Sequence, residues 1–79
     1  PIISPLFETT LKEGIHLYLQ QAQWAVLNDN PKVFQLSLDQ AISNINRSFT
    51  ANSHNTKELI KQLESLKEIN FTQKQPLVG

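Results

Sequence analysis

Apolar residues recur along the chain at helical intervals. Phe7, Leu11, Ile15, Tyr18, Ala22 and Ala25 follow gaps of four, four, three, four and three, which places them on one face of a first helix. Leu17, Trp24 and Val26 are expected to widen that stripe. A second stripe runs through Phe34, Leu38, Ala41, Ile42, Ile45 and Phe49, opposite a polar face of Asp39, Gln40, Ser43, Asn44 and Arg47, with Val33 and Leu36 to the side. A third joins Leu59, Ile60, Leu63, Leu66 and Ile69, covered outside by Lys57, Lys61, Glu64, Lys67 and Glu68. The sustained helical spacing predicts an all-α fold.

The residues between the stripes set the boundaries. Ser4 before Pro5 supplies an N-cap and then a residue whose missing N–H costs nothing in the first turn. Asn28-Asp29-Asn30-Pro31 strings turn formers together, with Asn30 capping the next helix and Pro31 opening it. Asn55 is expected to cap the third helix, with Glu58 reaching back as its capping-box partner. The expected organisation is an extended lead-in over 1–4, a single helical domain over 5–71 and a disordered tail over 72–79. Its helices lie at about 5–28, 31–49 and 56–69, with Phe71 anchoring the end of the third. The very short first connection favours antiparallel neighbours, so the architecture is a three-helix up-down-up bundle that begins with a helical hairpin. That hairpin is about one tetratricopeptide unit long, and such geometry is open, although Trp24, Leu27 and Ala41 miss that repeat's offsets. Gly14 interrupts the first helix at a cost of about 1 kcal/mol relative to Ala, unless it serves the close approach of another helix.

A chain of 79 residues makes one domain with a small core, and such folds commonly need a staple or a partner. No Cys is present, which excludes disulfides, thiol nucleophiles and Cys-based zinc sites. Seven basic side chains balance seven acidic ones, and Arg47 is the single Arg. Without a basic stripe, neither nucleic acid nor a membrane surface is the expected partner. No apolar run approaches the ~20 residues that span a bilayer. The opening at Pro1, with no Met anywhere, suggests a piece of a longer protein.

The residues offer little chemistry. His16 lies on the first helix near Glu13 and Gln20, where it is read as a structural or boundary residue rather than a base or metal ligand, because no HExxH spacing accompanies it. His54 falls in the polar loop before the third helix. Acid–base catalysis needs two carboxylates in contrasting environments. Glu8, Glu13, Asp29, Asp39, Glu58, Glu64 and Glu68 each take an ordinary place on a polar face, in a turn or in a cap. With only Gly14 and Gly79, neither a nucleophile elbow nor a phosphate-binding loop can be built. No catalytic, cofactor-binding or metal residue is assigned. The candidate partner or ligand surface is instead Trp24, Val33, Leu36 and His16. An amphipathic Trp at the edge of a stripe suits a partner surface, and a shared side with Val33 and Leu36 would leave an apolar patch in need of one.

Five stretches carry a resemblance in their order and spacing: TLKEGIHL from Thr10, QQAQWAVL from Gln20, NPKVFQLSLDQA from Asn30, Arg47-Ser48-Phe49, and the closing Leu59 to Asn70. Together they resemble the helical region of HemX proteins, proteobacterial inner-membrane proteins often labelled uroporphyrin-III C-methyltransferase. The resemblance implies a periplasmic domain tethered by a membrane span outside this chain, with an association to tetrapyrrole biosynthesis. The label implies S-adenosylmethionine as cofactor and uroporphyrinogen III as substrate, yet no family catalytic residue has a counterpart here. The chain departs from the family pattern at Gly14, where Asn is expected, and at His16, where Arg is expected. The function that follows is a non-catalytic interaction or scaffold domain with a protein partner or self-association. Methyl transfer and non-catalytic tetrapyrrole binding are the alternatives.

Overall fold

The computed structural model describes residues 4–48 and 50–69. Its elements are α1 (Pro5–Leu27), α2 (Pro31–Arg47) and α3 (His54–Lys67), with no strand among the described residues. The lead-in up to Ile3, Phe49, the Phe71 anchor and the tail over 72–79 lie outside them. Ser4 caps α1 by accepting from the Phe7 amide at 3.1 Å, with Pro5 first in the helix. α1 then closes in a Schellman arrangement: the Asn30 amide donates to the Ala25 carbonyl at 2.8 Å and the Asp29 amide to Val26 at 3.2 Å. This geometry requires a left-handed residue after the cap, and Asp29 supplies it with φ of 53°. Asn30 in turn accepts from the Val33 amide at 3.1 Å, so the same residue ends one cap and makes the next. The chain therefore reverses in three residues and sets α1 and α2 antiparallel.

The core lies mainly between these two helices. Ala22 and Ala25 of α1 meet Phe34, Leu38, Ala41, Ile42 and Ile45 of α2, and Leu63 is what α3 buries with them. Alanines on the α1 side let the two axes come close. Buried Ser37 fits there because both of its hydrogen-bonding roles are filled: it donates to the Val33 carbonyl at 2.7 Å and accepts from the Gln21 amide at 2.8 Å. Gly14 does serve a close approach. A Cβ on it would sit 2.5 Å from the Asn44 Nδ2, and that amide donates to the Leu11 carbonyl at 3.4 Å.

α3 returns along α2 and completes the up-down-up arrangement. Its start faces the N-terminal half of α1, and its end reaches Asp39, which accepts from the Lys67 ammonium at 2.6 Å. Gln35 also donates to the Lys67 carbonyl at 3.3 Å.

Four expectations are corrected. Ser53, not Asn55, caps α3; it accepts from the Thr56 amide at 3.2 Å, and Glu58 pairs with Lys61 instead of reaching back. Leu17, Trp24 and Val26 do not widen the buried stripe: they are 63%, 51% and 48% exposed, Leu17 and Trp24 on the outer side of α1 and Val26 beside its end. Leu59, Leu66 and Ile69 are likewise exposed, leaving Leu63 and half-buried Ile60 to hold α3. Finally, Glu8 leaves the polar face: it lies three residues before Leu11 on the inward side and is buried, where the Ser48 hydroxyl donates to its carboxylate at 3.1 Å.

Candidate functional site

α1 has two working faces. Leu11, Ile15, Ala22 and Ala25 turn inward, and the other side carries large exposed apolar residues. At about 100° per residue, Leu6, Leu17, Trp24 and Leu27 fall within roughly 80° of one another around the axis. Leu6 is 75% and Leu27 85% exposed, so the stripe is open along the length of the helix. From Gly14 to Asn28 the chain contains no Asp, Glu, Lys or Arg. The polar residues interleaved with the stripe there are His16, Gln20, Gln21 and Gln23, all exposed. A helix face in water normally carries charge. From Gly14 onward this one has Trp and Leu at its centre and no charged group, the composition of an interface core, with Glu13 at the border.

Of the four residues expected to form the surface, the structure brings Trp24 and Val33 together. They line one shallow depression with Leu17, Gln20 and Gln21. Val33 also packs against the core and so fixes the floor of that depression. His16 borders a neighbouring depression with Lys12, Glu13, Leu17 and Gln20, and the two share Leu17 and Gln20. Leu36 is 53% exposed on α2 and borders neither. Leu17 and Leu27 belong to the surface and were not assigned to it from sequence. Their spacing of seven and three from Trp24 carried the signal.

Both depressions are open and shallow. The one beside His16 is lined by α1 alone, so a small ligand there would stay in contact with water on its outer side. Sites that hold small molecules tightly enclose most of the ligand's surface. A cleft framed by all three helices is small, about 130 Å³, and lies beside Glu8 among Leu11, Ile45, Ser48 and Leu59. Among the described residues no three His, Cys, Asp or Glu side chains come near enough to hold a metal ion. His16 and His54 are both exposed, one in the middle of α1 and one at the first position of α3. The ammonium of Lys67 titrates above its ordinary value of 10.5, because it hydrogen-bonds Asp39 first and Glu64 second. That pairing ties α3 to α2 and lies away from the α1 stripe. No helix of the described residues is long and apolar enough to cross a membrane.

Fold and surface define a class: a small helical domain with its core on one side of α1 and an uncovered apolar face on the other. Within that class the chain belongs to the HemX family, whose model, described as "HemX, putative uroporphyrinogen-III C-methyltransferase", matches residues 1–78. The description ties the family to tetrapyrrole biosynthesis. No curated protein and no solved structure matches the chain.

Proposed function

We propose that this chain is a non-catalytic interaction domain of a HemX protein, and that the outer face of α1 is the surface it offers to a protein partner. The observation that carries the reading is the exposure of Leu17, Trp24 and Leu27 on a stretch without a charged residue. Leaving such a face in water is unfavourable by about 25 cal/mol for each Å² of apolar surface, which a covering partner would recover. A single indole beside leucines, with glutamine amides between them, provides one anchor and adaptable hydrogen bonding. The reading puts the domain in the periplasm of a Gram-negative cell, tethered by a membrane span, which is what the resemblance to HemX proteins implies. It would bring a partner to the tetrapyrrole pathway rather than transform a tetrapyrrole itself.

The shape of the face favours a protein over a porphyrin-like ring. A ring beside His16 would be held from one side by one helix, whereas a second helix can lie along the whole stripe. Methyl transfer from S-adenosylmethionine requires an enclosing cofactor cleft, whereas the two depressions along α1 are open surfaces.

The test places a photo-crosslinking residue at Leu17 or Trp24 in the membrane-anchored HemX protein, with Gln40 and Ser43 as controls on α2. Efficient crosslinking from the two α1 positions and little from the controls is expected. Equal labelling at all four would remove the partner-surface reading. Methyl incorporation into uroporphyrinogen III by the 79-residue chain would overturn the non-catalytic part.

A further inference from the structure

We draw no further inference here: the strongest candidate, the exposed apolar stripe of Leu17, Trp24 and Leu27 on the outer side of α1, is the surface already offered to a partner, and nothing in the structure shows what covers it.

Discussion

Gly14 and Asn44 share one small volume. Gly14 lacks a Cβ, Asn44 fills the space that Cβ would take, and the Asn44 amide donates to the backbone of the preceding turn at Leu11. Replacing Gly14 by Ala has two opposed effects. Helix propensity favours Ala by about 1 kcal/mol. Against that, Asn44 must swing away and lose a hydrogen bond of similar size, about 0.5–1.5 kcal/mol. Gly14→Ala alone should therefore change stability by less than about 1 kcal/mol, while the same change in an Asn44→Ala background should stabilise by about that amount. Urea unfolding of the four proteins measures the coupling, and equal effects of Gly14→Ala in both backgrounds would show that the two residues do not compete. Glu8 teaches a related lesson. Its position three before Leu11 pointed inward, but a carboxylate suggests solvent, and the hydroxyl that receives it, Ser48, lies forty residues away in sequence.

At the scale of the helices, local chemistry was most legible where one residue had one option. Asn28 to Pro31 admits few conformations, and the hairpin follows from it. The start of α3 offered two cap residues, Ser53 and Asn55, and propensity ranks them nearly equal. Ser53 wins because a helix from His54 gains extra hydrogen bonds: the Ser53 hydroxyl meets the Thr56 hydroxyl at 2.8 Å, and the Lys57 amide donates to the Ser53 carbonyl at 3.0 Å. Ser53→Ala should cost about 1 kcal/mol of thermal or urea stability, whereas Asn55→Ala should cost a few tenths at most. A larger effect at Asn55 would restore the cap expected from sequence. The width of the α1 stripe was misread for a different reason. At about 100° per residue Leu17 and Trp24 stand more than ~100° around the axis from Leu11, Ile15 and Ala22, so their angle, and not their apolar character, held the answer. Of the residues expected at the surface, Trp24 and Val33 share one depression, and Leu17, expected to join the buried stripe, lies exposed beside them.

For the molecule as a whole, cohesion is uneven. α1 and α2 share nearly all of the buried apolar side chains, while α3 contributes Leu63, half-buried Ile60 and polar ties at its far end. The Lys67 ammonium is caught between Asp39 at 2.6 Å and Glu64 at 3.2 Å, and only the first of these crosses to another helix. α3 should therefore open as a unit before the hairpin does. Hydrogen exchange of α3 amides such as those of Leu63 and Ser65 should run on the order of tenfold faster than that of Leu38 and Ala41. Asp39→Asn should quicken α3 further without changing the α1–α2 amides. The pH dependence has a definite sign. The Lys67 value is raised in the folded protein, so the pairing contributes fully below the ordinary lysine value of 10.5 and fades as pH rises through the folded value. α3 protection, corrected for the intrinsic exchange rate, should then be flat through neutral pH and fall only in the alkaline range. Uniform exchange over all three helices would mean that they unfold together. A loosely held α3 and an uncovered α1 have a common origin: α2 supplies the surface on which both pack, and among the described residues no element covers the outer side of α1. That side is consequently the place where a protein partner can add burial to so small a fold.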